Sequence, residues 1–294
     1  GSRRAHGADA ALKAARALYL AGFASTSNVL AGRDYGIPVA GTMAHSYVEA
    51  HDREIEAFRA FARTYPETTL LVDTYDTESG VRLVGRLAEE LGEAFRVRGV
   101  RIDSGDLSAL AKQARRILDA AGLRSVQIMA SGGLDERAID ALLESGAPIA
   151  GFGVGTSVVV SNDAPSLDAA YKLVAYEGRG TMKLSTRKAT LPGAKQVYRR
   201  REAGIAAGDV IALNGEAVPG EPLLREVMRD GRRLPAGRES LEEARERAQA
   251  EVAALPDRLR ALTPAQPPYP VEVSPGLREA ERRLRQELAE RVAS

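Results

Sequence analysis

Short apolar runs alternate with longer segments of helical periodicity over the first 160 residues. The runs that predict strands are 37–41, 70–72, 100–102, 126–130 and 149–152. The segments whose apolar residues recur every three or four positions are 8–22, 46–64, 80–95, 107–121 and 135–145. Buried strands that alternate with amphipathic helices are typical of βα units, so the pattern predicts a parallel sheet.

The pattern changes after residue 170. Residues 172–176 and 182–185 flank Glu-Gly-Arg-Gly and predict a hairpin, and runs at 197–201 and 210–213 extend an antiparallel region. Charged amphipathic helices are predicted at 239–255 and 277–292. We therefore expect a βα-repeat domain that carries the active site over 1–170, an antiparallel region that completes its core over 171–236, and a helical extension over 237–294.

Composition narrows the class of protein. The chain has 294 residues, 44% hydrophobic and 28% charged, with a net charge of +1. This balance favours neither nucleic acid nor an anionic membrane as a partner. Cysteine is absent, which excludes disulfides and thiolate metal sites, and no apolar run reaches the length of a membrane span. We expect a cytoplasmic protein.

Polar residues follow each predicted strand, where open α/β sheets and barrels place their chemistry. His45, one of three histidines, follows the first strand at the expected start of a helix. Alone, such a histidine is more often structural than catalytic. Asp73 follows the second strand and is a candidate for orienting His45 or for coordinating a metal ion.

Arg101 and Asp103 point to the same face of the third strand. The guanidinium could bind a carboxylate or phosphate, and the carboxylate could hold ribose hydroxyls or Mg²⁺. The simpler alternative is that the two side chains pair with each other. Arg3 and Arg4 form a local basic pair that could clamp a small anion, although residue type alone favours ordinary surface arginines.

Two glycine-bearing loops follow consecutive strands. They contain Ser131 and Gly132, and then Gly153, Gly155 and Thr156. Glycine lets backbone N–H groups approach an anion, so the pair of loops suits a phosphate ester. Tight turns without a ligand are the alternative, because neither loop matches a complete nucleotide-binding motif.

An ordered series of motifs resembles the nicotinate phosphoribosyltransferases over roughly residues 3–234. The motifs are RRAHG from residue 3, TSNVLAG from 26, GTMAHS from 41, LVDTYD from 71, VRIDSGDL from 100, SGGLDE from 131, FGVGTS from 152, YKLV from 171, MKLS from 182 and TLPG from 190. The resemblance implies a type II phosphoribosyltransferase-like α/β barrel with an antiparallel β region and C-terminal helices. The family carries a further N-terminal domain before the Arg-Arg motif, so we expect the barrel to be incomplete at its N-terminal side.

The resemblance also implies the chemistry. The family transfers phosphoribosyl from phosphoribosyl pyrophosphate to nicotinate, giving nicotinate mononucleotide and pyrophosphate in the first step of NAD synthesis from nicotinic acid. ATP hydrolysis is coupled through a phosphohistidine, Mg²⁺ takes part, and the enzyme is a homodimer. In the family, the N-terminal domain helps to form the dimer and lends an aromatic residue to the partner's site.

The same resemblance implies a role for each residue that matches a functional position of the family. His45 is the phosphorylated histidine, Ser46 lies beside the phosphorylated group, and Asp73 lies near His45 or Mg²⁺. Arg101 and Asp103 face nicotinate and ribose. The 5-phosphate lies against the two glycine loops, with Gly132, Gly155 and Thr156 as its principal contacts. Arg3 or Arg4 meets the pyrophosphate or the nicotinate carboxylate.

Two alternatives stay open. A quinolinate-type phosphoribosyltransferase needs no ATP coupling, and retention of His45 in its motif argues against it. A shortened chain without turnover could keep the barrel surface as a binding or assembly module.

Overall fold

The structure is a computed structural model that describes residues 2–167, 169–185 and 190–293, with side chains up to residue 291. The chain divides into two compact units. The first contains Phe23–Ser166 with the chain before Leu20, and the second contains Leu20–Gly22 with Leu167–Ser294. The predicted domain limits after residues 170 and 236 stay predictions.

A parallel sheet forms the centre of the first unit. Its strands follow the order of the sequence, β1-β2-β3-β4. They are β1 (Thr69–Leu71), β2 (Gly99–Ile102), β3 (Gln127–Ser131) and β4 (Gly151–Gly153). The helices up to residue 166 are α1 (Ala8–Leu20), α2 (Val29–Tyr35), α3 (His45–Glu49), α4 (Glu54–Thr64), α5 (Thr77–Leu91), α6 (Leu107–Ala120), α7 (Glu136–Glu144) and α8 (Thr156–Val159).

The core of this unit lies between the sheet and its helices. Leu70 and Val100 of the strands are completely buried, as are Phe58 of α4, Val84 of α5 and Leu118 of α6. Strands buried on both faces are mostly apolar along their length, which explains the short apolar runs in the sequence. The predicted α/β class with a parallel sheet is confirmed.

Residues 37–41 do not form the predicted sheet strand. Instead, Val39 makes an isolated parallel bridge with Thr26. The Thr26 amide donates to the Pro38 carbonyl at 2.9 Å, and the Ala40 amide donates to the Thr26 carbonyl at 3.1 Å. Because Pro38 has no N–H, the segment cannot continue a regular ladder.

The single helix predicted over 46–64 is interrupted after residue 49. The His51 ring Nδ1 lies 2.8 Å from the Tyr47 carbonyl oxygen, which the His51 backbone amide would bond in a continuous helix. The amide turns instead to the Val48 carbonyl at 3.1 Å. The side chain thereby replaces a backbone hydrogen bond, and α4 begins afresh at Glu54.

The second unit is mainly antiparallel. Its strands are β5 (Ala175–Tyr176), β6 (Arg179–Gly180), β7 (Lys195–Glu202), β8 (Ile205–Leu213), β9 (Glu221–Pro222), β10 (Met228–Arg229), β11 (Arg232–Arg233) and β12 (Val271–Val273). Its helices are α9 (Leu241–Ala253), α10 (Asp257–Arg260) and α11 (Pro275–Ala293). The predicted antiparallel region and C-terminal helices are confirmed.

The predicted hairpin is shorter than expected. Ala175 and Tyr176 pair with Gly180 and Arg179, so the hydrogen-bonded strands are two residues long and the run at 182–185 lies outside them. The turn contains Glu177 at φ 48° and Gly178 at φ 75°. Two successive positive φ angles are typical of the tight turn that joins antiparallel strands.

A network of charges holds the sheet of the second unit. Arg199 of β7 binds both carboxylate oxygens of Asp209 in β8 at 3.0 Å and reaches Glu251 of α9 at 2.9 Å. Burial opposes ionisation of Asp209, but hydrogen bonds from Arg199 and Tyr269 outweigh it and lower the pKa of this carboxyl. The arginine is therefore part of the packing between strand and helix.

Among the residues that the structure describes, no helix is both long and apolar enough to span a membrane.

Gly80 of α5 lies against the end of β1. A Cβ atom at this position would fall 2.1 Å from the Val72 carbonyl oxygen. We predict that Gly80→Ala lowers the free energy of unfolding by about 1–3 kcal/mol, because backbone has to move to relieve the overlap. Urea denaturation measures the change.

Gly85 in the same helix is the matched control. Its added Cβ would lie 3.4 Å from the Ala121 side chain, an ordinary contact. Gly85→Ala should leave stability unchanged or raise it by up to about 1 kcal/mol, since alanine favours the helix. Equal losses from both substitutions would contradict close packing at Gly80.

Candidate functional site

The parallel register brings the polar ends of three strands together. Leu71 pairs with Arg101, and Ile102 pairs with Ala130. Asp73 lies two residues after Leu71, and Asp103 and Ser131 directly follow Ile102 and Ala130. The three residues therefore emerge at one edge of the sheet. This is the edge at which parallel α/β proteins place ligand sites.

Asp103 forms the centre of the cluster. Its Oδ1 accepts a hydrogen bond from Arg101 Nη1 at 2.8 Å and another from the Ser131 hydroxyl, which also accepts from Arg101 Nη1 at 3.0 Å. The second guanidinium nitrogen of Arg101 donates to the Met43 carbonyl at 2.8 Å. The intramolecular Arg101–Asp103 pair is thus present. Both of these hydrogen bonds use Asp103 Oδ1, and Oδ2 is the oxygen that lies nearer to His45.

Asp73 fixes the loop that carries Asp103. Its Oδ2 accepts from the Asp103 backbone amide and from the Ser104 hydroxyl, both at 2.8 Å. Its Oδ1 is buried and has no hydrogen-bond partner among the described residues. Its observed contacts orient Asp103, whereas the ring of His45 is held by other groups.

His45 is the first residue of α3, and its side chain is 39% exposed. Nδ1 lies 3.2 Å from the Thr74 hydroxyl, and Nε2 lies 3.6 Å from Asp103 Oδ2. The second distance exceeds a hydrogen bond but keeps the imidazole within the field of the carboxylate. Ser46 is the next residue of the helix and is exposed.

Gly132 allows the loop after β3 to touch the loop after β2. It adopts φ +94°, and a Cβ atom would lie 1.8 Å from the Asp103 carbonyl oxygen. A side chain at this position would therefore separate the two loops. After this turn, Asp135 caps α7 by accepting from the Ala138 amide at 2.8 Å.

The second glycine loop adjoins the first. Gly153 pairs with Ser131 across the sheet, and a Cβ on the glycine would lie 3.1 Å from the serine Cβ. Gly155 precedes the short helix α8, which starts at Thr156, and both residues are exposed. The register therefore brings the start of this loop next to the cluster.

No side-chain hydrogen bond or ion pair between described residues joins Arg3 or Arg4 to this cluster. Both lie in a short 3-10 helix and are exposed. Their predicted role in anion binding stays a prediction.

Glu54 was not predicted as a site residue. It is the first residue of α4, and its Oε1 is buried without a hydrogen-bond partner in the described part of the chain. Burial, and then the negative charges of Asp73 and Asp76, raise its pKa to about 7. The sequence shows only an acidic residue at a helix start, where carboxylates are common.

A metal ion at this edge would have few protein ligands. The described residues contain no group of three or more side chains suited to coordination. Mg²⁺ is often held by one or two carboxylates together with substrate phosphates, so this does not conflict with a magnesium role. The unpartnered Oδ1 of Asp73 fits such an ion.

Comparison with known proteins places the chain in a family. The model of the nicotinate phosphoribosyltransferase (NAPRTase) family matches residues 1–191, and the model of the nicotinate phosphoribosyltransferase C-terminal domain matches residues 216–281. The first match covers more than half of the chain and includes the whole cluster. The chain belongs to the nicotinate phosphoribosyltransferase family.

Individual relatives agree. Nicotinate phosphoribosyltransferase pncB2 of Mycobacterium tuberculosis is 56% identical over 93% of this chain and 59% of its own length. Nicotinate phosphoribosyltransferase of Bacillus subtilis is 45% identical over 76% of this chain and 48% of its own length. A crystal structure of human nicotinic acid phosphoribosyltransferase gives a TM-score of 0.80 at 31% identity, covering 97% of this chain and 69% of that one. The chain thus spans about half to three-fifths of the length of these two bacterial relatives.

The environment of Glu54 predicts a pH-dependent stability. The pKa of Glu54 is about 7 in the folded protein, whereas the ordinary pKa of a glutamate is 4.5. Ionisation therefore costs folding free energy, and the cost grows as the pH rises between these values. We predict that Glu54→Gln stabilises the protein at pH of about 8 and has a much smaller effect near pH 5.

Urea denaturation at the two pH values measures this difference. Glu56→Gln, in the same first turn of α4, controls for loss of a negative charge at the helix start. An advantage of Glu54→Gln that stays constant with pH would contradict the assignment.

Proposed function

We propose that this chain carries the catalytic centre of an ATP-coupled nicotinate phosphoribosyltransferase. The observation that supports this most directly is the position of His45 beside Asp103, with Arg101 and the glycine loops on neighbouring strands. We infer the reaction from the family, and the side chains of the cluster are of the chemical types that this reaction requires.

The transfer step breaks the bond between C1 of ribose and pyrophosphate and forms a bond from C1 to the nicotinate nitrogen. Positive charge develops on the ribose as the first bond lengthens. The Asp103 carboxylate stabilises this charge electrostatically, and its restraint by Arg101, Ser131 and Asp73 reduces the reorganisation that the step requires. Pyrophosphate leaves with the electron pair of the broken bond.

Binding of the substrates is assigned to the neighbouring groups. Backbone amides of the loops at Gly132 and Gly155, with the Thr156 hydroxyl, receive the 5-phosphate. Arg101 faces the nicotinate carboxylate or the ribose, and Arg3 or Arg4 binds the pyrophosphate or the nicotinate carboxylate. Mg²⁺ would be held by Asp73 and would balance the charge of the pyrophosphate.

ATP coupling is assigned to His45. A neutral imidazole is a competent nucleophile towards the γ-phosphate near neutral pH. Ser46 then lies beside the phosphorylated ring. The added charge at the edge of the sheet would favour a state that holds substrates tightly.

The proposal also covers the oligomeric state of the protein and its location in the cell. By the family resemblance the active protein is a homodimer, which gel filtration of the purified chain tests. A cytoplasmic location stays a prediction.

We predict that the purified chain forms nicotinate mononucleotide from nicotinate and phosphoribosyl pyrophosphate with Mg²⁺, and that ATP stimulates this reaction. His45→Ala should abolish the stimulation because the phosphoryl acceptor is lost, while folding is retained by circular dichroism. Product formation is measured by chromatography with and without ATP.

The possible outcomes separate the alternatives. No product from the unaltered chain would contradict turnover and favour a binding module. Product from quinolinate without ATP would favour the quinolinate-type enzyme. Equal ATP stimulation in His45→Ala would remove the phosphohistidine from the proposal. His51→Ala, a histidine outside the cluster, is the matched control for ATP dependence, with its stability measured in parallel.

A further inference from the structure

We propose that Thr74 is a positioning residue that keeps the proton of neutral His45 on Nδ1 and leaves Nε2 as the phosphoryl acceptor. This inference rests on the proposed function, because it concerns the histidine that accepts phosphate. It adds a residue, a ring nitrogen and a tautomer to that function.

The two ring nitrogens of His45 have different surroundings. Nδ1 is within hydrogen-bond distance of the Thr74 hydroxyl, at 3.2 Å. Nε2 makes no hydrogen bond to the described residues, since its ion-pair neighbour Asp103 Oδ2 is 3.6 Å away. The side chain is 39% exposed, so a ligand can approach the ring.

A nucleophilic nitrogen needs a free lone pair. If Nδ1 carries the proton, it donates to the Thr74 oxygen, and the Nε2 lone pair is available. In the other tautomer, Nε2 carries the proton towards Asp103, and the Nδ1 lone pair is occupied by the Thr74 hydroxyl. Only the first tautomer presents a free lone pair to a phosphate group.

The side-chain contacts of the preceding residue restrain the segment that carries Thr74. Thr74 directly follows Asp73, whose carboxylate is bonded to the Asp103 amide and the Ser104 hydroxyl at 2.8 Å. Thr74 is itself half-buried. The hydroxyl therefore comes from the loop after β1, and the ring it orients belongs to a separate helix.

The phosphoryl transfer balances without an additional base. The Nε2 lone pair attacks the γ-phosphorus of ATP, and the Nε2–P bond forms. The bond from phosphorus to the bridging oxygen breaks, and ADP leaves with that electron pair. The proton on Nδ1 stays on the ring and remains hydrogen-bonded to Thr74 throughout.

The first test reads the tautomer directly in the full chain without substrates. ¹⁵N-labelled histidine spectra at alkaline pH, where free imidazole is neutral, distinguish Nδ1–H from Nε2–H. We expect His45, assigned by loss of its signals in His45→Ala, to be mainly Nδ1–H. Thr74→Val should shift the population towards Nε2–H, and Thr74→Ser should restore it.

Thr77→Val is the matched control. It removes a hydroxyl with no side-chain hydrogen bond among the described residues, at the start of α5. It should leave the His45 spectrum unchanged. A dominant Nε2–H tautomer in the unaltered chain, or a tautomer unaffected by Thr74→Val, would overturn the proposal.

The second test measures turnover. Thr74→Val should lower the ATP-stimulated kcat by about tenfold, the value of one hydrogen bond, with little change in KM for nicotinate. Thr74→Ser should recover most of this loss, and ³¹P spectra of the phosphoprotein should show Nε2 as the modified nitrogen. Phosphorylation on Nδ1 would overturn the proposal.

The two tests separate this inference from the proposed function. If the unaltered chain shows no ATP-stimulated turnover, the proposed function fails. The histidine spectra, which need no substrate, then still show whether Thr74 sets the tautomer of His45. If turnover is ATP-stimulated while Thr74→Val changes neither tautomer nor rate, the proposed function stands and the role of Thr74 is refuted.

Discussion

The hydrogen bond from the Asp103 amide to the Asp73 carboxylate organises the whole candidate site. It joins the residues that follow β1 and β2, and it exists because the parallel register sets these residues side by side. Gly132 then lets the third loop lie directly against Asp103. The positions of Asp73, Asp103 and the loop at Gly132 therefore derive from the pairing of buried strands, which the apolar core stabilises.

Charge at this edge is distributed unevenly. Asp103 accepts hydrogen bonds from Arg101 and Ser131, and the bond from the guanidinium is charge-assisted. Glu54 has no such partner for its buried oxygen, and the nearby carboxylate of Asp73 disfavours a second negative charge. One region of the sheet thus contains a carboxylate with several hydrogen-bond donors and a carboxyl group whose pKa is raised to about 7.

Much of the fold could be predicted because buried parallel strands leave a clear pattern. Val100 and Ile102 are apolar and lie just before a polar cluster, and the structure places β2 there. The break in the helix after Glu49 could not be predicted, because it depends on one side-chain hydrogen bond from His51. The bridge at Val39 likewise depends on pairing with Thr26, which belongs to a different segment, and the local pattern of residues does not reveal this pairing.

The candidate site shows the same division. Asp73 and Asp103 follow β1 and β2, so the pattern of the sequence indicates both their chemistry and their position. The pattern also predicts a sheet strand before His45, but the structure has only an isolated bridge there. Thr74 and Glu54 carry no distinctive local pattern, and their importance comes from the groups that the fold brings near them. Sequence alone indicated that Arg101 could pair with Asp103, but only the three-dimensional arrangement shows its additional bond to the Met43 carbonyl.

That bond links two parts of the site through a single guanidinium. Met43 lies two residues before His45, so Arg101 of β2 restrains the segment that leads into the histidine helix. An anion that draws the guanidinium towards itself competes with the Met43 carbonyl and loosens this restraint. The two effects are linked thermodynamically. If binding of the anion changes the equilibrium position of the Met43 segment by some factor, a change at His45 that moves this segment changes the affinity for the anion by that same factor. The guanidinium therefore supplies a short physical route by which occupancy at the sheet edge and the state of the histidine influence each other.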